Sequence, residues 1–294
     1  MIEQLTFPDF PVIDKPFKDP QFRTLPRPIW TENKAKLIER YLYYFVFITF
    51  HGDYIDGFAG PQEPDNPEMW AAKLVLESEP KRLRKFFLCE KKKKGYTALE
   101  TLKKEQPEIK GRSIQLYHGD FNQYINQILE SGLIRKNDAT FCLLDQRTFE
   151  CQWATIKALA SFEKEKFKIE LFYFLGSGWL HRALSQQSDK TVIDAWWGSS
   201  DWTDLKDLPP IRIQELFCKR FKEELGYRYV TPWPIYERND GGRVMYHMIH
   251  ATDHDAAPTL MDRAYRKAVI DKESPEQFQL ELDEWKEEYG EYSV

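Results

Sequence analysis

The chain has 294 residues, of which 42% are hydrophobic, 15% aromatic and 30% charged, with a formal net charge of −5. That length holds one large α/β domain or two small ones, and the composition fills a core and excludes a wholly disordered chain. The charge gives no global attraction to nucleic acid, so such a partner would have to use a local basic patch.

Residues 1–30, rich in Pro and Phe without a period, read as an extended arm. Pro8, Asp9, Pro11 and Asp14 interrupt the apolar run a secretory signal needs, and the apolar stretch 41–50 is too short to cross a bilayer. A cytoplasmic protein with no membrane partner is expected. Thr31 can cap a helix starting near Glu32, in which Leu37, Ile38, Tyr41, Leu42 and Phe45 recur at helical spacing. A strand over 53–56 ends in Gly57-Phe58-Ala59-Gly60-Pro61, and a helix follows over 69–77. Strands are predicted at 85–89, 114–117, 140–144 and 168–175, each of the first three followed by a helix. Continuous apolar runs such as Phe141–Leu144 and Leu171–Leu175 fit strands buried on both faces of a parallel sheet.

After residue 176 the pattern changes. Trp179, Trp196, Trp197 and Trp202 stand among Gly, Ser and Asp before a helix at 211–225. A hairpin over 227–252 turns at Asn239-Asp240-Gly241-Gly242. The tail carries a helix with Phe278, Leu282, Trp285 and Tyr289 on one face and acids on the other. The expected organisation is therefore an arm (1–30), a Rossmann-like domain (31–175 with 227–255), a lid or substrate insertion (176–226) and an acidic helical tail (256–294). The fold class is α/β, a mostly parallel seven-stranded sheet with a C-terminal antiparallel hairpin strand and helices on both faces.

Asp56, Glu90, Asp120 and Asp145 each stand at or just past the C-terminal end of a predicted strand, where open α/β sheets bind ligands. Buried carboxylates there are costly unless a ligand, solvent or a helix N-terminus satisfies them. S-adenosylmethionine suits this set. The small-residue turn admits its amino-acid end, an acid after the second strand takes the ribose hydroxyls, and one after the third reaches the adenine amine. Having no phosphate, the ligand does not require a full phosphate-cradling glycine motif. The expected cofactor contacts are Asp56, Gly57, Phe58, Ala59, Gly60, Glu90, Asp120 and Phe121. The competing reading is that these acids cap helices in an unrelated Rossmann domain.

From about Thr31 to Asp255 the sequence resembles the three-Cys-motif partner proteins (TcmP). The resemblance rests on Thr31-Glu-Asn-Lys34 with Tyr41-Leu42, Tyr54-Ile-Asp-Gly-Phe-Ala-Gly60 and His118-Gly-Asp-Phe-Asn122. Leu144-Asp145 with Trp153–Leu159, Gly198 with Trp202, and Tyr246–His254 add to it. It implies a class I methyltransferase-like fold and a partner protein bearing a three-cysteine motif. Relatives carry Asp-Pro after the fourth strand where this chain has Asp145-Gln146-Arg147-Thr148-Phe149. Asp145 can still orient an acceptor amine and Phe149 can stack on a flipped base of RNA or DNA, without the prolines that shape the turn. Pro61-Gln62 also replaces the usual second glycine of the first turn. Two function readings follow: a methyltransferase-like protein acting on nucleic acid, or a non-catalytic module that binds its partner.

Other signals are weaker. Glu150-Cys151-Gln152 lacks the proline of a cytosine-C5 nucleophile motif, and the four cysteines, with no CxxC pair, read as reduced core thiols. Lys81, Arg82, Arg84, Lys85 and Lys91 through Lys94 form either a phosphate rim or a solvated face. His247 and His250, three apart on a strand, point to opposite faces and cannot share a metal. The tryptophans at 196, 197 and 202 read equally as base-stacking or packing residues. Lys34 and Arg182 are lone charges that read as surface residues or substrate contacts. A dinucleotide oxidoreductase needs a third glycine in the first turn and a ribose acid closer to it than Glu90.

Overall fold

The computed structural model describes residues 30–62, 67–236 and 243–270. The arm before Trp30, the Asn239–Gly242 turn and the helix carrying Phe278 to Tyr289 lie outside the described residues.

In chain order the elements are α1 (Trp30–Thr49), β1 (Gly52–Asp56), α2 (Ala71–Glu77), β2 (Leu83–Glu90), α3 (Lys93–Glu105), β3 (Ser113–His118), α4 (Phe121–Glu130) and β4 (Thr140–Leu144). Then come α5 (Trp153–Ser161), β5 (Glu170–Leu175), α6 (Leu180–Gln186), α7 (Lys190–Trp197), α8 (Pro210–Glu223), β6 (Tyr229–Tyr236), β7 (Val244–Thr252) and α9 (Ala257–Tyr265). Helix α1 begins at Trp30, one residue ahead of the expected Thr31 cap.

Among the described residues one seven-stranded sheet forms, in the order β3-β2-β1-β4-β5-β7-β6. The first five strands are parallel, and β7 runs antiparallel to both β5 and β6. This order matches a methyltransferase-like arrangement.

Alternation along each strand explains the apolar runs. Tyr54, Phe86, Phe141 and Phe172 point into a core shared with α1, α2, α3 and α9. Their chain neighbours Ile55, Phe87, Cys142 and Tyr173 point into a second core shared with α4 through α8. A fully buried Phe such as Phe141 contributes up to about 3 kcal/mol by leaving water.

The segment 176–226 is more regular than its composition suggested: α6, α7, a 3-10 turn (Asp201–Asp207) and α8 build it. Trp196 donates to the Tyr173 hydroxyl at 2.9 Å, Trp197 to Asp201 at 2.8 Å and Trp202 to Asp194 at 2.6 Å. All three rings are buried, so they act as packing residues. Helix α8 belongs to the core, where Phe217 and Phe221 pack on Tyr173. Helix α9, beyond the expected elements, buries Leu260, Met261, Ala264 and Tyr265. On β7, His247 bonds Ser177 at 2.7 Å and His250 bonds Glu170 at 2.8 Å, one toward each core.

No helix among the described residues is long and apolar enough to cross a membrane.

Candidate functional site

The C-terminal ends of β1 to β4 open into a cleft of about 760 Å³, whose far wall comes from α6 and α7 through Ala183, Gln186 and Val192. Its size falls within the range of small-molecule and cofactor sites.

The first turn supplies one rim. Gly57 donates to the Leu143 carbonyl at 3.1 Å and Ala59 to the Cys89 carbonyl at 2.8 Å, tying the turn to β4 and β2. Gly57, Phe58 and Gly60 face the cleft. Asp56 and Ala59 sit behind it. Asp56 is 2% exposed and accepts bonds from Phe58 N at 3.0 Å and the Tyr54 hydroxyl at 3.1 Å. Burial pushes its carboxyl up to about 7, with nearby Asp145 and Glu90 adding to the rise. Asp56 therefore holds the turn's shape from inside.

Glu90 occupies the middle of the floor. Its Oε2 accepts from Gly60 N at 3.0 Å and its Oε1 from Lys92 N at 2.6 Å, which fixes the carboxylate while leaving lone pairs open on both oxygens. Glycines stand against it, and a side chain at either position would displace the carboxylate from this placement. A Cβ on Gly60 would come within 2.2 Å of Glu90 Oε2, and one on Gly95 within 2.8 Å of Glu90 Cγ. Two backbone positions without side chains thus clear space for one carboxylate.

Asp120 caps α4, as the competing reading had it. Its Oδ1 accepts from Asn122 N at 3.0 Å, and its Oδ2 pairs with Lys91 at 2.9 Å. Burial works against ionisation, but the Lys91 ammonium and the Asn122 donors hold the carboxyl below its usual range. Asp120 still lines the cleft beside buried Phe121, whose ring meets Phe58 edge-on at 6.1 Å. Asn122, absent from the expected set, accepts from Gln152 N at 2.9 Å and donates to the Glu150 carbonyl at 2.8 Å. It locks the β3 end to the loop after β4.

Asp145, 7% exposed, ends β4. Its Oδ2 is 2.6 Å from the Lys34 ammonium and accepts from Gln62 Nε2 at 2.9 Å, while its Oδ1 is buried without a hydrogen-bond partner. Lys34 corrects the surface reading: it is 4% exposed and lies 5.9 Å from the ring centres of both Phe174 and Tyr246. Arg182 is exposed. Periodicity puts Lys34 on the buried stripe of α1, four residues before Ile38 and seven before Tyr41, but does not reveal its partner. Gln62, in the turn where a glycine was expected, gave no sign of its partner.

The turn after β4 keeps its shape without prolines. Gln146 donates to the Phe174 carbonyl at 3.2 Å and accepts from Cys151 N at 2.8 Å, and Arg147 N donates to Glu150 at 2.7 Å. Thr148 adopts φ +73°, a conformation costly for a β-branched residue. Phe149 lines the cleft but also meets Trp196 edge-on at 4.9 Å. Cys151 is fully buried and burial drives its thiol up, the opposite of an activated nucleophile.

Strand β2 splits the basic run. Lys85 turns to the N-terminal end of the sheet and pairs with Asp138, whereas Lys91, Lys92 and Lys94 line the cleft with Arg147. The site has an acidic floor and a cationic rim. It can accept hydroxyl and amine donors below and anionic groups above.

No protein-family model matches the sequence, and no curated protein matches it. Among solved structures, the chain is similar to protein LPL1258 of Legionella pneumophila, of family DUF519. The identity is 10%, over 83% of this chain and 93% of that one, with a TM-score of 0.41. It is also similar to PH0793 of Pyrococcus horikoshii, described as a candidate transferase. There the identity is 13%, over 74% of this chain and 62% of that one, with a TM-score of 0.35. The fold and the site stand on the strand order and the cleft alone.

Proposed function

We propose that this chain is an S-adenosylmethionine-binding, methyltransferase-like protein of the three-Cys-motif partner type, with nucleic acid as its acceptor class. The observation that carries this is the Glu90 carboxylate, pinned in the cleft floor by two backbone amides where two glycines clear its surroundings. A fixed bidentate acceptor suits a pair of vicinal hydroxyls such as those of ribose.

The other residues fit the same ligand. Phe58 and Phe121 offer an apolar wall for adenine, and Asp120 has lone pairs left for its amine. S-adenosylmethionine would supply an electrophilic methyl group on a positively charged sulfur. Asp145 Oδ1, buried and unpartnered, would accept a hydrogen bond from an acceptor N–H and fix its lone pair toward the cleft. Phe149 would bear on the acceptor's ring, and Lys92, Lys94 and Arg147 would meet its phosphates. Alignment of this kind supplies most of what methyl transfer requires.

The second reading, a non-catalytic module that binds its partner protein, is favoured by one observation. The acceptor end is already engaged, with Asp145 held by Lys34 and Gln62, and Phe149 held against Trp196.

A thermal-shift titration separates the two. A ligand at about 100 times its Kd adds roughly 2.7 kcal/mol to stability. A saturating shift with S-adenosylmethionine and S-adenosylhomocysteine that Glu90→Ala removes is the result expected of the first reading. No shift for well-folded wild type favours the second.

A further inference from the structure

We propose that Lys34 is a positioning residue that orients Asp145 and balances its charge, and so sets how strongly the cleft prefers a cationic ligand over a neutral one. This inference rests on the adenosyl reading of the cleft.

The geometry is specific. Lys34 comes from α1, behind the cleft wall, and its ion-pair partner among the described residues is Asp145. Two donors, the Lys34 ammonium and the Gln62 amide, load the same oxygen, Oδ2. Both donors sit on one oxygen, leaving Oδ1 as the buried oxygen without a hydrogen-bond partner. The Phe174 and Tyr246 rings flank the ammonium and keep water from it, so its charge is screened mainly by Asp145.

The strand order then says which part of a ligand meets this pair. Asp120, Glu90 and Asp145 end β3, β2 and β4, with β1 between the last two. A ligand with adenine toward Asp120 and ribose on Glu90 extends its sulfur end toward β1 and β4. That end is positively charged in S-adenosylmethionine and neutral in S-adenosylhomocysteine. A bare carboxylate beside it would favour the cation, and Lys34 offsets that preference. Tight holding of the charged ground state would work against any step that removes the charge.

The test is isothermal titration calorimetry with both ligands on wild type, Lys34→Met, Lys34→Arg and Asp145→Asn. The readout is the ratio of the two Kd values. At a separation of about 6 Å and an effective dielectric constant of about 40, between that of a protein surface and bulk water, removing one charge is worth about tenfold. Lys34→Met is expected to raise the preference for S-adenosylmethionine about tenfold, and Lys34→Arg to restore the wild-type ratio. Asp145→Asn, nearly isosteric and least disruptive to folding, is expected to shift the ratio about tenfold the other way. If Lys34 only supports α1 packing, Lys34→Met weakens both ligands together, and an unchanged ratio overturns the proposal. Should Lys34→Met fail to fold, an unchanged ratio in Asp145→Asn overturns it equally. Wild type that binds neither ligand overturns the adenosyl reading and this inference with it, whereas binding with constant ratios overturns the role of Lys34 alone.

Discussion

The two ends of the sheet both bury carboxylates, and they use them differently. At the N-terminal end, Glu170 accepts from the Tyr41 hydroxyl and from Thr252 at 2.9 Å, and bonds His250 at 2.8 Å. Asp138 pairs there with Lys85 at 2.9 Å and Arg135 at 2.8 Å, which hold its carboxyl well below the usual range despite burial. At the C-terminal end, Glu90, Asp120 and Asp145 border a cleft, and Asp145 Oδ1 has no hydrogen-bond partner. A buried acid alone therefore does not mark a site. Asp145 is set apart by combining burial, an adjoining cavity and an unfilled hydrogen-bond position.

The comparison breaks most visibly at Glu170. Glu170→Ala strands three polar partners in a core and is expected to cost about 3–5 kcal/mol in urea denaturation, with no change in affinity for S-adenosylhomocysteine. A loss of affinity without loss of stability would mean that the N-terminal end is part of the site. Glu90→Ala should do the reverse. Affinity falls by about 2–3 kcal/mol, the worth of hydrogen bonds to a charged group, while the urea midpoint stays near that of wild type.

Asp56 sharpens the comparison through pH. Its carboxyl titrates near 7 in the folded chain against an ordinary value of 3.8. Between those values the native state holds the proton and the unfolded state does not. Stability from this group is thus present below about pH 4 and lost as pH rises toward 7, at up to about 1.4 kcal/mol per pH unit. Asp53, pushed by burial to about 6, acts in the same direction. His247 opposes them. Burial lowers it from 6.5 to about 4, so its contribution is lost as pH falls through that window. Subtracting the Asp56→Asn stability curve from the wild-type curve should isolate the falling slope; a flat difference would show that Asp56 is ionised in the fold. The smallest effect is at the rim. Lys94→Ala should weaken binding of single-stranded RNA slightly and reduce the slope of log affinity against log salt by about 1. An unchanged slope would remove Lys94 from any phosphate path.

Much of the sheet was legible because strands buried on both faces must be apolar throughout, as Phe141–Leu144 and Leu171–Leu175 are. The row of strand-end acids was legible for the same reason: a charge that closes such a run stands out. Lys34 was not, because a lysine on a buried helical stripe looks like a surface lysine until its counter-ion, more than a hundred residues away in the chain, is brought to it. Gln62, Gln146 and Asn122 share that difficulty, since amides bridge loops through partners that only the fold brings near. Helices α6 and α7 were hidden by Gly, Ser and Asp around the tryptophans, where Trp196 and Trp197 find their indole partners only after packing.

The most direct test of the central claim is a crystal structure of the chain grown with saturating S-adenosylhomocysteine. The expected result is ligand density across the ends of β1 to β4, with both ribose hydroxyls on the Glu90 carboxylate and the sulfur end beside Asp145. An empty cleft at saturating ligand, or ribose held anywhere other than Glu90, would contradict it.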